Sequence, residues 1–494
     1  IDTLTIADTA RFSGTLVNAQ GVSATVSGGT LDVVGAATIA SLSIAAKGVL
    51  AVNLDSGSTQ TALQVTGNAS FAEGSKLALK LTSVDDAEGQ HVVLQAGSLA
   101  GADKLTTTSA LFPYLYKGVV SSNANQLIVD VTRKTTTELG LNRSEAGAFN
   151  AIYAALGKDE DIEAAFLNIA EKEQFRAQVG QMLPEHEGGV FETVTSGSRA
   201  LSRHLGDPSP PFKDEGKWGY WVSQAFWGTS KSLGDTASYD VNGWGIATGG
   251  ELKTGIGNFG LSIGYMDSKD RNGANSNEVH ATQWEGAAYW RLVSDGWIAN
   301  ARVSGAPIGL DGTRRFHAIV GGQDIDKTAN ANWDATLWSA SGSVSHDSRF
   351  GSLSIRPTLA VDYFKLKEDG YAETGGGDAF NLIVDQRTSD ETAVSGTVAL
   401  GLDLGGADQY DGWMRFELEG GRREIVSGSL GDTVAQFKDG TAFTLVPDGR
   451  TSGWVGRLRG VAGNPLFQIA GEFSAEEQQS HVALAFRASL RIGL

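Results

Sequence analysis

The chain has 494 residues, no cysteine and a formal net charge of -18. Its length predicts two or more structural units. The lack of cysteine excludes disulfides, thiolate metal sites and a cysteine nucleophile. It is compatible with a cytosolic chain, and it also suits a secreted chain that stays unfolded in the oxidising periplasm. The acidic charge argues against a nucleic-acid partner, because phosphate binding requires a basic surface.

The sequence favours β-structure and offers no membrane-spanning helix. Its 64 glycines follow no collagen repeat and indicate many turns. No stretch reaches the roughly 20 apolar residues of a transmembrane helix, so a membrane-spanning form would have to be a closed barrel. Ile1 is not followed by the charged and apolar regions of a signal peptide, and we expect such a peptide to have been removed or to lie upstream.

Residues 1–135 are a series of short alternating apolar stretches separated by glycine turns. Examples are 3–6, 29–34, 39–44 and 76–81. Short stacked strands of this Thr-, Ser-, Val- and Ala-rich composition predict a β-solenoid, in which each coil buries its apolar face on its neighbours. A β-sandwich is the alternative.

Residues 136–210 change to helical periodicity. Ser144 is expected to cap a first helix, and a second follows Asp159. A third is expected at about 188–205, where small residues predominate: Thr193, Ser196, Gly197, Ser198 and Ala200. A helix with such small side chains can pack closely against the structure that surrounds it, as in a narrow cavity.

The Pro-rich stretch 208–211 marks the boundary of the third segment, residues 211–494. This segment alternates apolar and polar side chains and contains all eleven tryptophans. Tryptophan favours membrane interfaces, so we expect the Trp and Tyr side chains to form two girdles around a barrel. The alternation predicts twelve strands, an even number as single-chain bacterial barrels require. Their approximate ranges are 216–230, 240–254, 258–269, 279–293, 296–305, 333–347, 351–366, 390–405, 411–425, 451–463, 465–476 and 482–494.

Short and long links alternate between these strands, as periplasmic turns and outer loops do in bacterial barrels. The long links are 270–278, 306–332, 367–389 and 426–450. Both ends of a twelve-stranded barrel then lie on the periplasmic side. A solenoid that precedes the barrel therefore requires the helix at 188–205 to stay inside or to run through the lumen, which is wide enough for one helix.

Charged side chains on the strands are expected to face this lumen, because Arg at the lipid midplane costs about 2–4 kcal/mol. They either solvate a wet lumen or hold the polar groups of the helix. Arg199 and Arg203, four residues apart on one helix face, are expected to meet the acidic ones. The predicted lining residues are Glu251, Glu285, Arg415, Glu417, Glu419, Arg457, Arg459, Glu472, Arg487 and Arg491.

Three patterns are typical of catalytic or metal sites. Residues 260–264 have the Gly-x-Ser-x-Gly spacing around Ser262, but they lie within a predicted strand rather than in a strand-turn-helix context. His186 and Glu187 begin like a zinc-protease helix that lacks its second histidine. Asp324 and Asp326 lie near Asp334 in the longest predicted loop, where a calcium site or a merely solvated loop is expected.

The ordering of solenoid, helix and twelve strands resembles the autotransporters. The resemblance is carried by the last strand (483–494), the inward acidic strand (416–421) and the stretch 63–81, which is similar to the end of a pertactin-like passenger. It implies an all-β chain: a twelve-stranded antiparallel transmembrane β-barrel with a luminal α-helix, preceded by short helices and a β-solenoid passenger. Residues 1–135 would be the passenger end with its autochaperone-like region, 136–210 a helical linker and 211–494 the translocator barrel.

The resemblance also implies partners and a location. We expect outer-membrane lipids and lipopolysaccharide, periplasmic chaperones and the barrel-assembly machinery as partners of a monomeric barrel in the Gram-negative outer membrane, without a cofactor or nucleic acid. The machinery would read Phe486, Leu490, Ile492 and Leu494. Family barrels usually end in an aromatic residue, whereas this chain ends in Leu494.

The leading functional hypothesis is a non-enzymatic translocator that exports and anchors an adhesive or structural passenger. A porin-like or uptake channel with an N-terminal plug is one alternative, and a surface-anchored hydrolase with its catalytic part upstream is another. Self-cleaving family members cut beside an Asn in the luminal helix. Residues 188–205 contain none, so we expect the passenger to stay joined to the barrel.

Overall fold

A computed structural model describes residues 3–54, 61–85, 87–105, 112–210, 216–272, 276–405 and 412–494. It contains two compact units: one comprises residues 1–182, 316–327 and 377–380, and the other 183–315, 328–376 and 381–494. The predicted boundary at residue 211 lies outside the described residues. None of the helices described is both long and apolar enough to cross a bilayer.

The N-terminal part of the first unit consists of short strands. They are β1 Thr3–Ile6, β2 Arg11–Gly14, β3 Ser23–Val26, β4 Thr30–Val33, β5 Ala37–Ile39, β6 Ser41–Ile44, β7 Val49–Leu54, β8 Leu63–Phe71, β9 Lys76–Leu81, β10 Gly89–Ala100, β11 Tyr116–Ser122 and β12 Gln126–Arg133.

These strands stack in parallel, coil on coil, as a β-solenoid. One sheet runs β1-β3-β6-β8-β10 and the other β2-β4-β7-β9. Leu31, Leu50 and Leu77 stand at equivalent positions of three successive strands and are fully buried. Such an apolar ladder buries the inner face of every coil against the next. The antiparallel pairs β10–β12 and β12–β11 end the stack, and the parallel ladders are not those of a β-sandwich.

Four helices follow, α1 Thr136–Leu139, α2 Arg143–Leu156, α3 Glu160–Leu167 and α4 Lys172–Gln181. The prediction that Ser144 caps α2 is wrong. Asn142 is the cap: its side chain accepts a hydrogen bond from the Glu145 backbone N–H, and the Glu145 carboxylate accepts one from the Asn142 N–H. This reciprocal capping box satisfies two backbone donors, which Ser144, the second residue of the helix, could not do. Asp159 caps α3, which begins directly after it, where the second helix was predicted.

The second unit begins with helix α5 Gly189–Ser202, followed by a 3₁₀ turn at Arg203–Gly206. Its strands are β13 Trp218–Lys231, β14 Tyr239–Thr254, β15 Gly257–Arg271, β16 Asn277–Ser294, β17 Trp297–Val320, β18 Gln323–His346, β19 Ser348–Phe350, β20 Leu353–Glu368, β21 Tyr371–Ala372, β22 Leu382–Val384, β23 Arg387–Gly405, β24 Trp413–Ser429, β25 Thr433–Phe437, β26 Phe443–Leu445, β27 Gly453–Gly463, β28 Phe467–Gln478 and β29 His481–Gly493.

Twelve long antiparallel strands form the closed barrel, which confirms the predicted fold class. They are β13–β18, β20, β23, β24 and β27–β29, and closure comes from the pairing of β13 with β29. The last barrel residue is bonded to the first strand, since the Trp218 N–H donates to the Leu494 carbonyl at 2.8 Å. Closure removes the unpaired strand edges that lipid cannot satisfy.

The predicted outer loop at 306–332 is wrong. Strands β17 and β18 each run for 24 residues and turn only at Gly321 and Gly322. Two of the other three long links, 367–389 and 426–450, contain β21, β22, β25 and β26, which form a separate four-stranded sheet. Alternation continues beyond the membrane here because these hairpins bury one face on other parts of the chain rather than in lipid.

The outer face of the barrel is apolar, with Leu261 70% and Leu418 64% exposed. Six tryptophans point outward: Trp218, Trp244, Trp284, Trp297, Trp338 and Trp454. The girdle prediction is wrong for four others, Trp221, Trp227, Trp333 and Trp413, which are buried. Their rings pack against inward apolar side chains, and the Trp413 Nε1–H donates to Asp403 at 3.0 Å.

Candidate functional site

Helix α5 lies inside the barrel, and its first turns sit in an apolar layer. Val190, Phe191 and Val194 are each 1% exposed. They pack against inward residues of four strands and one link: Val279, Ala281, Ala306, Ile308, Leu310, Ala331, Trp333, Ala335, Leu337, Phe364, Leu366 and Leu430. Burial of these side chains is worth about 1.5–3 kcal/mol each and fixes the depth of the helix.

Small and hydroxyl residues allow the wall to approach the helix. A Cβ on Gly197 would lie 2.6 Å from the Trp227 ring and 2.9 Å from Met266 Sδ. Thr193 and Thr195 donate their hydroxyl protons to helix carbonyls four residues earlier, each at 2.7 Å. Their polar groups are therefore satisfied inside the helix, so the buried surface needs no further partner from the wall.

The second half of α5 has one apolar face. Ala200, Leu201 and Leu205 pack against inward residues of β13 to β16, including Trp221 and Met266. The His204 ring lies 3.8 Å from the Trp221 ring, centroid to centroid.

The opposite face of this half carries two arginines. Arg199 lies 3.6–4.0 Å from the carboxylates of Asp362, Glu391 and Glu476. Arg203 lies 3.6 Å from Glu472 and 3.7 Å from Glu476, and donates to Ser474 at 2.6 Å. Cations near the C-terminal end of a helix also interact favourably with its dipole.

Two further polar contacts join α5 to the wall. Glu192, in the first turn of the helix, pairs with Arg450, which also pairs with Glu391 at 2.7 Å. Ser198 donates to Glu285 at 2.5 Å, and Glu285 pairs with Arg302. Each buried charge of the helix is thus matched by an opposite charge, as burial of ions requires.

The segment after α5 continues this network. Asp207 receives two hydrogen bonds from Arg487, at 2.6 and 3.0 Å, and lies 3.4 Å from Arg459. Gly206 O accepts from Arg356 at 3.2 Å and Ser209 O from Arg349 at 2.7 Å. The chain is therefore held along its exit from the lumen as well as inside it.

Arg459 is the centre of the wall network. Its guanidinium lies 2.6 Å from Glu472, 2.7 Å from Glu417 and 3.3 Å from Glu419, and it is 4% exposed. The planar fork of arginine can serve several carboxylates at once. Beside Arg199 and Arg203 a cavity of about 130 Å³ remains.

The contacts also give the direction of α5. Glu185, just before the helix, pairs with Arg387 at the start of β23, next to the long links. Leu205, just after it, accepts through its carbonyl a hydrogen bond from Arg291, near the end of β16 where the short turns lie. The chain therefore enters the lumen at the end with long hairpins and leaves at the end where β13 begins.

The structure places all ten predicted lining residues on the inner face. Glu251 pairs with Arg491 and Glu419 with Arg457, while Arg415 pairs with Asp347 and lies 3.0 Å from Glu417. Phe486, Leu490, Ile492 and Leu494 lie on the outer face, 39–66% exposed.

Several ion-pair residues were missed by sequence reasoning. Glu476 and Arg423 share the strand parity of Glu472 and Glu419, so alternation could have identified them. Asp207 and Arg450 lie outside the strands, where no periodicity marks an inward side chain. The others missed are Glu192, Arg302, Arg356, Arg387 and Glu391.

The residues of the three predicted catalytic or metal patterns lie in different parts of the fold. Ser262 lies in mid-strand, opposite Gly249 and Ala287, without a strand-to-helix turn. His186 precedes α5, with its Nδ1 2.9 Å from the Pro184 carbonyl. Asp326 pairs with His317 at 2.8 Å, and Asp324 and Asp334 are exposed on β18. Within the described ranges no three His, Asp or Glu side chains group closely enough to hold a metal ion.

Comparisons with known proteins match this architecture. Residues 221–459 match the family model described as autotransporter beta-domain. Esterase EstA of Pseudomonas aeruginosa is 25% identical over 179 residues, 35% of this chain and 27% of the esterase, and EstA of Pseudomonas putida gives the same values. The chain thus spans about a quarter of the length of these curated relatives.

Among solved structures, the translocator domain of NalP from Neisseria meningitidis is 15% identical, with 63% of this chain and 98% of that chain covered and a TM-score of 0.45. The β-domain of Bordetella BrkA is 14% identical, with 56% and 100% covered and a TM-score of 0.39.

The family match covers most of the strands of the barrel, including the strands that carry Glu285, Glu417 and Arg459. The barrel lies in the outer membrane of a Gram-negative bacterium. With a closed twelve-stranded barrel, a helix in its lumen and this family match, the C-terminal part of the chain is an autotransporter β-domain.

Proposed function

We propose that this chain exports its own N-terminal solenoid through the outer membrane and anchors it at the cell surface. The observation that carries the proposal is α5, a continuous part of the chain that fills the lumen and is ion-paired to its wall along both halves. A segment inside the lumen that enters at the long-hairpin end is the geometry expected of a chain that has passed through. In a porin-like channel the lumen would instead need to stay open to solutes.

We further propose that the solenoid is adhesive or structural. Stacked coils present an extended repetitive surface to a partner, and β1 to β10 are such coils. The barrel-assembly machinery, chaperones and lipopolysaccharide remain the partners we expect for a monomeric barrel of this kind.

External protease on intact cells tests the export proposal. Residues 1–182 are expected to be accessible from outside when denatured by mild urea, whereas the barrel strands stay protected by the membrane. A periplasmic marker protein serves as the control for cell integrity. If residues 1–182 become accessible only after the outer membrane is broken, the export proposal is wrong.

The passenger is expected to stay covalently joined to the barrel, because residues 188–205 provide no Asn nucleophile. Purified outer membranes should therefore give one full-length band on a denaturing gel, without added protease. A discrete fragment whose N-terminus falls between residues 188 and 205 would contradict this expectation.

An esterase passenger is the second candidate, favoured by the similarity of this chain to the EstA esterases. Ser262 is an unsuitable nucleophile because it sits in a barrel strand, so any catalytic part would lie elsewhere in the protein. Hydrolysis of p-nitrophenyl butyrate by intact cells that carry the full natural protein, lost on substitution of a passenger serine, would favour this candidate over adhesion.

A further inference from the structure

The hairpin of β17 and β18 extends far beyond the membrane. A transmembrane β-strand needs about 9–11 residues, whereas each of these strands has 24. An isolated two-stranded ribbon is marginally stable in water. The extension therefore requires a packing partner, and its tip, residues 316–327, belongs to the compact unit that also contains α2, α3 and α4.

Phe316 joins the tip to the aromatic core of these helices. Its side chain is fully buried, and its ring stacks on Phe166 of α3 at 6.3 Å. Phe380 meets the Phe316 ring edge-on at 5.9 Å. Phe166 in turn packs on Phe175 of α4 at 5.7 Å, so one aromatic cluster runs from the hairpin through α3 into α4.

Hydrogen bonds and ion pairs fix the orientation of the tip. The His317 backbone donates to the Gln181 side chain and accepts from Gln178, both at 2.8 Å and both on α4. Lys327 reaches Asp159 and Asp161 at the start of α3, each at 2.9 Å. The tip is thus ion-paired to the start of α3 and hydrogen-bonded to α4.

We propose that the tip of this hairpin is the surface on which α2, α3 and α4 fold after they leave the barrel. These helices have 14, 8 and 10 residues, and helices of this length are marginal without tertiary packing. The hairpin is anchored in the barrel and presents the Phe316 ring and the Lys327 cation to these helices, so that tip and helices stabilise each other as they pack. The inference rests on the proposed export function, since it requires these helices to reach the tip unfolded.

Pulse-labelled cells that express the full chain test this role. The quantity measured is the time at which residues 1–182 become resistant to external protease after they become accessible. Phe316→Ala removes the ring from the helix core and is expected to slow this step about tenfold. Lys327→Glu, which opposes Asp159 and Asp161 with a like charge, is expected to slow it as well.

Ile319→Ala is the matched control, because Ile319 belongs to the same tip and is 66% exposed. It should leave the folding time at the wild-type value, and all variants should keep the heat-modifiable migration of a folded barrel. The template role would be overturned if both Phe316→Ala and Lys327→Glu kept the wild-type folding time. It would also be overturned if the variants made residues 1–182 unfold faster without making them fold more slowly. If wild-type residues 1–182 never become accessible, the export proposal itself fails and the inference falls with it.

Discussion

Arg459→Met is expected to lower the free energy of unfolding of the barrel by about 3–5 kcal/mol, because removal of one partner from a buried ion-pair network leaves the other charges uncompensated. Arg459 lies within 3.4 Å of four carboxylates, those of Glu417, Glu419, Glu472 and Asp207. Methionine keeps much of the volume of the side chain but supplies no hydrogen-bond donor.

The measurement is urea unfolding of the detergent-folded full chain, followed by heat-modifiable migration and tryptophan fluorescence. Arg422→Met is the matched control on a neighbouring strand, because the Arg422 side chain is 64% exposed and pairs only with the half-exposed Glu424 among the contacts described. Exposed pairs are worth at most about 1 kcal/mol. Equal losses in the two variants would show that the lumen network does not stabilise the barrel.

Gly197→Val is expected to displace α5 and to open a conducting path through the barrel. The new Cβ would lie 2.6–2.9 Å from Trp227 and Met266, which is closer than carbon and sulfur atoms can approach. Because the side chains of Trp227 and Met266 are both buried, neither can rotate into solvent to relieve the clash. Overpacking of this kind typically costs about 1–3 kcal/mol.

Single-channel recording in planar bilayers checks this prediction. Wild-type protein should be mostly closed, whereas Gly197→Val should show frequent or sustained openings. Ser196→Val introduces the same side chain at the neighbouring position, which is only half-buried, and should behave like the wild type. A Gly197→Val protein that stays closed would show that α5 is not held by close packing at this position.

Much of the barrel was predictable because strand faces follow directly from alternation. The inward parity of Arg415, Glu417 and Glu419 follows from the apolar residues between them, since a charge in lipid is costly. Ten of the eleven links could likewise be located from interruptions of the pattern. Alternation failed at β17 and β18, where it cannot distinguish a strand that faces lipid from one that faces another part of the chain.

The sequence by itself determined the local properties: the parity of each strand, the small side chains of α5 and the stacked apolar positions of the solenoid. Only the tertiary structure decided which charges meet. Asp207 and Arg487 are 280 residues apart in the chain, and their pairing depends on closure of the barrel and on the depth of α5. Strand parity and side-chain size depend on residues that are adjacent in the sequence. Ion-pair partners and the length of a hairpin depend instead on contacts between residues far apart in the sequence, which form only when the barrel closes.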